Sequence, residues 1–311
     1  MSSFCVSSWS FSLTIARWLT PSRSRRRGPE RPPPRGTPAA VKNFLEQYGE
    51  EQGCTTVLLD NTTESNLESQ RAAVENWVTQ GVDSILLWPV DESAFTSLQK
   101  QAQDQGIKWL TYASPMEGED GGVGFDSDES GQAIADEMSA WIAENYPDGD
   151  VSAAVTEITA LGTLSGRWEK PAAQLEADGI EVVSQQNCAD QACGLQIAED
   201  ALRENPNLRV FIGVNDDVAL GAKKAFDNAG IDPETVFIAG SDGTPDALAA
   251  IKNGGAFRVT AAIPPAPLAD DILQVSLAAI TGEGETNRQT PPVLVRHGDD
   301  ATIDELLAQF D

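Results

Sequence analysis

The chain has 311 residues, enough for two domains of ordinary size with a sizeable buried core. Its formal charge of −27 excludes a nucleic-acid backbone as partner, since phosphate contacts need clustered Lys and Arg. One histidine (His297) and four scattered cysteines leave almost no material for a His/Cys metal site, and no metal or cofactor is expected.

Charge is uneven along the chain. Residues 1–36 hold seven of the 21 basic residues and one acid, Glu30. Within them, "PSRSRRRGPERPPPRG" lacks any periodicity that could pack a core. The preceding "SFSLTIARWLT" has no positively charged leader, is interrupted by Arg17 and is followed by no small-residue cleavage site. Three readings of 1–36 stay open: a disordered tail, a targeting segment, or a misplaced translation start.

From Thr37 a single rhythm repeats. "TTVLLD" (55–60) reads as a strand, followed by polar residues and a helix over Leu67–Val78 closed by Gly81. "SILLW" (84–88) and "IKWLTY" (107–112) are further strands with a helix ending near Gln105 between them. Strand–helix–strand at this spacing predicts parallel βαβ units, and uninterrupted apolar strands predict a sheet covered on both faces.

"ASPMEGEDGGVGF" (113–125) reads as a loop that breaks the rhythm. Helices are then predicted near 127–145, 166–178, 191–204, 216–229, 244–253 and 266–281. Strands are predicted near 151–155, 181–185, 209–213, 235–239, 257–262 and 292–296. So many parallel strands with a Gly-rich break between them predict an α/β chain of two doubly wound parallel-sheet lobes. In such sheets ligands sit beyond the carboxyl ends of the strands.

One such end carries an unusual run, Asn215-Asp216-Asp217. Asn215 or Asp216 can cap the following helix, and acids suit its positive end. Capping needs one of the three, so the other two are read as surplus to structure and available to a ligand.

Four segments stand out in order: "WVTQGVDSILLWPVDESA" (77–94), "VGFDSDESG" (123–131), "GVNDDVALGAKKAFDNAG" (213–230) and "IAGSDGTPDALAAIKNGG" (238–255). Together they resemble the periplasmic sugar-binding proteins of the ribose-binding type, which share their two-lobed fold with the effector domains of lactose-repressor-type regulators. The resemblance runs from about Thr37 to His297. It implies lobes made of 37–122 with 264–290 and of 123–263 with 291–311, leaving 1–36 outside the family pattern and the family's first strand without a counterpart. It also implies a three-segment hinge near 113–125, 240–243 and 262–265.

The resemblance further implies ligand-binding roles for Arg167 in "LSGRWEK", Asn215 and Asp242 in "GSDGT". Their chemistry suits a polyol: Arg offers a planar fork of donors, Asp accepts from hydroxyls, and Asn does both. Each has a plainer reading, as a solvated helix-start charge, an N-cap and an Asx turn respectively. Elsewhere the chain departs from the family: its Asp-Arg pair falls on Ala113 and Ser114, its far-lobe aromatic on Ala189, and a glutamine on Ile263. Ser114 is kept as a candidate contact, and Trp88 and Trp168 are stacking candidates that also suit a core. Cys188 and Cys193 in "QNCADQACG" either bridge, in an oxidising compartment, or remain free thiols; a bridge would shape the pocket where the family keeps its aromatic.

The function implied is the substrate-binding component of an ABC-type importer. It would capture a small polar solute, a sugar by the resemblance, in a cleft between the lobes, outside the cytoplasm and with a membrane permease as partner. The alternative is the effector-sensing part of a lactose-repressor-type regulator without its DNA-binding module, which needs about 50–60 residues ahead of the core. No nucleophile elbow, zinc-protease, P-loop or Rossmann signature points to an enzyme.

Overall fold

The computed structural model describes residues 12–15, 37–53, 57–60, 66–89 and 91–310, with 12–15 and 57–60 described by backbone alone. The first part of the chain contributes β1 (Ser12–Ile15), α1 (Thr37–Glu51), β2 (Val57–Asp60), α2 (Leu67–Gln80), β3 (Ser84–Leu87), α3 (Thr96–Asp104), β4 (Lys108–Tyr112) and β5 (Gly121–Gly124). There follow α4 (Ser127–Asn145), β6 (Ser152–Glu157), α5 (Gly166–Ala177), β7 (Glu181–Asn187), α6 (Gln191–Glu204) and β8 (Leu208–Ile212). Next are α7 (Asp216–Asn228), β9 (Phe237–Asp242), α8 (Pro245–Asn253) and β10 (Phe257–Ala262). The chain closes with α9 (Pro265–Thr281), β11 (Asn287–Gln289), β12 (Val293–Arg296) and α10 (Asp300–Leu307).

Two compact units result. Unit one takes the chain up to Phe125 together with Pro265–Thr290, and unit two takes Asp126–Pro264 with Pro291–Gln309. The chain therefore passes between units after Phe125, Pro264 and Thr290. The expected third hinge segment, 240–243, is instead internal to unit two, as the end of β9.

Each unit holds one six-stranded sheet, in the order β11-β5-β4-β3-β1-β2 in unit one and β12-β10-β9-β8-β6-β7 in unit two. Both are parallel in the main, and both depart from the all-parallel expectation. In unit two, β12 returns antiparallel against β10, pairing Val259 with Arg296 and Ala262 with Val293. In unit one, β1 runs antiparallel between β2 and β3, with Thr14 opposite Leu58 on one side and Ile85 on the other. On sequence alone residues 1–36 carry no element, so the strand at Ser12–Ile15 corrects that expectation for those four residues. "SLTI" is too short and too close to Arg17 to stand out, but a gap between two strands with free backbone groups selects any extended segment that can supply a ladder.

The break at 113–125 also contains a strand the sequence hides. Gly121–Gly124 pairs in parallel with β4 and with β11. A glycine-rich segment reads as a loop, yet here the absence of a side chain is what lets β11's approach be so close. A Cβ on Gly121 would stand 2.2 Å from the Thr286 carbonyl oxygen.

Helix ends follow local chemistry. Asn66 accepts from the Ser69 N–H at 2.9 Å to cap α2, and Gly81, at φ 66°, ends it in the left-handed conformation. Asp126 and Asp190 cap α4 and α6 in the same way. The core of unit one gathers Trp77, Ile85, Leu87, Phe95 and Trp109 between α2, α3 and the sheet. Unit two buries β6, β8 and β9 almost completely, consistent with helices covering both sheet faces.

Candidate functional site

In unit two, the strand ends of β6, β8 and β9 bring the candidate residues together. Thr156, one residue before β6 ends, donates its hydroxyl to the Ile212 carbonyl at 3.2 Å and accepts from the Val214 N–H at 2.9 Å. That pair of bonds locks the exit of β8 onto β6. The chain then enters α7 with Asn215 as N-cap: its Oδ1 accepts from the Val218 N–H at 2.9 Å, and its Nδ2 donates to the Ala189 carbonyl at 3.0 Å. Asn215 is thus both a cap and a tether for the loop ahead of α6.

Arg167 stands in the first turn of α5 and is 3 % exposed. Its Nη2 meets Asp242 Oδ1 at 2.8 Å, and its Nη1 donates to the Val214 carbonyl at 3.3 Å. Asp242 closes β9 with φ at 112°, a conformation that a residue with a side chain rarely adopts. Its side chain is 40 % exposed and so only partly covered, while the guanidinium partner is buried. Burial pushes the Asp242 carboxyl above the usual carboxylate range, with the Arg167 charge pulling the other way.

Asp216 overturns the expectation that two of the three residues in Asn215-Asp216-Asp217 are surplus to structure. It is fully buried, and both of its oxygens are engaged: Oδ1 accepts from the Thr260 hydroxyl at 2.7 Å and Oδ2 from the Thr244 N–H at 2.6 Å. Burial first, and then the nearby Asp242 charge, raise its pKa to about 7. A sequence signal existed, since an acid in the first turn beside a capping Asn has no capping work left to do. Its partners lie 28 and 44 residues away, and no spacing rule reaches them.

Cys188 and Cys193 form a disulfide with Cα atoms 5.8 Å apart. The bridge brackets Ala189, whose carbonyl holds the Asn215 amide, and Asp190, which caps α6 through the Cys193 N–H at 2.9 Å. Trp168 is 4 % exposed, a packed residue of its own unit and no open stacking surface.

Trp88 and Ser114 belong to unit one, and the three residues above to unit two. Trp88 follows β3, half-buried, with its ring edge-on to Tyr112 at 5.7 Å and its carbonyl accepting from Gln70 Nε2 at 2.7 Å. Tyr112 in turn lies 6.1 Å from Phe125. Ser114 is buried just after β4, its N–H donating to the Tyr112 carbonyl at 2.7 Å across Ala113, which takes φ 56°. Among the described residues no cluster of three His, Cys, Asp or Glu could hold a metal ion, and no helix is long and apolar enough to cross a membrane.

Residues 37–284 match the periplasmic binding protein domain. The ribose import binding protein of Bacillus subtilis is 28% identical over 219 residues, covering 69% of this chain and 68% of that protein. A putative rhizopine-binding protein of Rhizobium meliloti is 26% identical over 234 residues, covering 69% of this chain and 71% of that protein. In fold, the chain matches an ABC transporter solute-binding protein of Bacillus halodurans with bound myo-inositol at a TM-score of 0.70 and 24% identity, over 87% of this chain and 93% of that one. It matches an Agrobacterium radiobacter carbohydrate transporter solute-binding protein in complex with D-arabinose at 0.72 and 20% identity, over 86% and 93%. With the matched region spanning most of the sequence and the two α/β units in place, the chain belongs to the periplasmic binding protein domain family.

Proposed function

We propose that this chain is the substrate-binding component of an ABC-type importer, a binding protein and not an enzyme, whose solute is a small polyol or sugar held by Arg167, Asn215 and Asp242. The observation that carries the proposal is the Arg167–Asp242 pair at the carboxyl edge of unit two's sheet. A buried guanidinium, fixed by a carboxylate and a backbone carbonyl, presents ordered donors beside an Asp242 side chain that is still partly exposed. Vicinal hydroxyls, each able to donate and accept, match such a donor–acceptor pair without introducing charge. The relatives named for ribose and the neighbours bound to myo-inositol and D-arabinose support the same class. They also favour import over effector sensing for gene control. A membrane permease as partner, an extracytoplasmic location, and contact of the solute with Trp88 and Ser114 belong to the same proposal.

The test is a thermal-shift and calorimetric screen of D-ribose, D-allose, D-arabinose and myo-inositol against the full chain. A solute that binds only the folded state raises Tm with concentration, by about 2.7 kcal/mol of added stability at a hundredfold excess over Kd. At least one polyol should do so, and the Arg167→Ala variant should need about ten- to a hundredfold more of it for the same shift. Silence toward all four, with a response to amino acids or organic anions instead, would overturn the sugar class.

A further inference from the structure

Asp216 is the one fully buried acid of the Asn215-Asp216-Asp217 run, and capping does not explain it, because Asn215 already caps α7. What its carboxyl does is join the exits of β8 and β9 to the strand β10. Asp216 itself follows β8; its Oδ1 takes the hydroxyl of Thr260 in β10; its Oδ2 takes the N–H of Thr244 in the turn that leaves β9. Room for this is built into the neighbouring strand, since a Cβ on Gly240 would lie 2.5 Å from Asp216 Oδ1. Asp242 lies two residues before Thr244. It is laddered to Ala262 in β10 and takes a φ of 112°, a strained conformation that surrounding contacts have to hold, and the turn is pinned on both sides. One side is that ladder, with the Ile263 N–H donating to the Asp242 carbonyl at 3.1 Å. The other is the Asp216–Thr244 bond.

We infer that Asp216 is a positioning residue for the binding pair: by holding Thr244 against β10 it keeps the turn 242–244 in the one conformation that aims the Asp242 carboxylate at Arg167. The link to solute affinity rests on the proposed function. The link to the geometry of Asp242 and Arg167 does not.

The two are separable in one experiment on the full chain. Asp216→Ala removes the clamp. Asp216→Asn keeps an oxygen for the Thr244 N–H and turns its amide to the Thr260 hydroxyl, which can accept, so the clamp survives without a charge. Thr260→Val removes only the β10 leg, at nearly constant volume. The first readout is the side-chain NMR signals of Asp242 (carboxyl 13C) and Arg167 (guanidinium 15N and 1H) in the absence of solute. The second is calorimetry with whichever of D-ribose, D-allose, D-arabinose and myo-inositol the parent binds, at a temperature where circular dichroism shows each variant folded.

The expected result is that Asp216→Ala shifts both side-chain signals and lowers affinity by about tenfold or more, the cost of a misplaced charged hydrogen bond. Asp216→Asn should recover the larger part of both, with Thr260→Val between them. If Asp216→Ala does not fold, Thr260→Val carries the test. Unchanged Asp242 and Arg167 signals in a folded Asp216→Ala or Thr260→Val variant would overturn the inference, as would Asp216→Asn being as damaged as Asp216→Ala. A parent that binds none of the four polyols defeats the sugar class alone, and the NMR arm still decides the clamp.

Discussion

Replacing Arg167 by Met isolates the guanidinium, because Met fills most of the aliphatic stem's volume and leaves little cavity. Two bonds are lost: the 2.8 Å pair with Asp242 and the 3.3 Å donation to the Val214 carbonyl. A hydrogen bond to a charged group contributes about 1.5–3 kcal/mol. The Asp242 side chain is 40 % exposed, so water replaces part of what it loses, and the lower end of that range applies to its half. The longer bond to Val214 adds about 0.5–1 kcal/mol. Unfolding in urea should therefore show a loss of roughly 2–3 kcal/mol with an unchanged slope. Removing the charge also removes what holds the Asp242 carboxyl down against its burial, so that carboxyl should titrate higher still. Solute affinity should fall about ten- to a hundredfold, since a solute hydroxyl loses the same charged donor. A variant that matches the parent in both stability and affinity would refute the reasoning and leave the Arg167–Asp242 pair without a role in either.

Three further outcomes follow from other parts of the structure. Thr14→Pro puts an imino acid into a strand laddered on both sides, and should cost about 3 kcal/mol in a urea titration; deletion of 1–36 should cost at least as much. An unchanged midpoint would remove β1 from the sheet. Gly131→Ala places a Cβ 1.8 Å from the Gly166 carbonyl oxygen, forcing α4 and α5 apart at a cost of about 2–3 kcal/mol, whereas Gly162→Ala meets open space and should be neutral within about 0.5 kcal/mol by the same titration. Asp216 sets a pH dependence. With a folded pKa of about 7 against 3.8 unfolded, the folded state binds the extra proton, so the stabilisation is complete below about pH 4 and is lost as pH rises through 7. The span is on the order of 4 kcal/mol. The charge facing the group is Asp242, whose own carboxyl is also pushed up by burial. Asp216→Asn should flatten the fall in Tm between pH 5 and 8 relative to the parent, and parallel curves would count against the assignment.

Much of this molecule is written locally. The ends of α2 and α7 are legible because an Asn side chain reaches a backbone N–H three residues on, and because Gly81 accepts a left-handed φ; both effects act within a single turn. The βα rhythm, the two-unit α/β class and the family resemblance follow from apolar runs and short segments of the same kind. Arg167, Asn215 and Asp242 were nameable for that reason, each sitting beside a recognisable strand end or helix start. What stayed hidden depends on partners far along the chain. "GGVG" becomes β5 only through its pairing with β4 and β11, with the Thr286 carbonyl ahead of β11 2.2 Å from where a Cβ on Gly121 would stand, and Ser12–Ile15 becomes a strand only between β2 and β3. Asp216 reads as spare acid until Thr244 and Thr260, 28 and 44 residues downstream, fold onto its two oxygens. Capping and periodicity are short-range and were determined by the sequence by itself. Which carboxylate is buried, and which faces solvent beside Arg167, was decided only by the tertiary structure, because burial and charge pairing are sums over neighbours that the order of residues does not list.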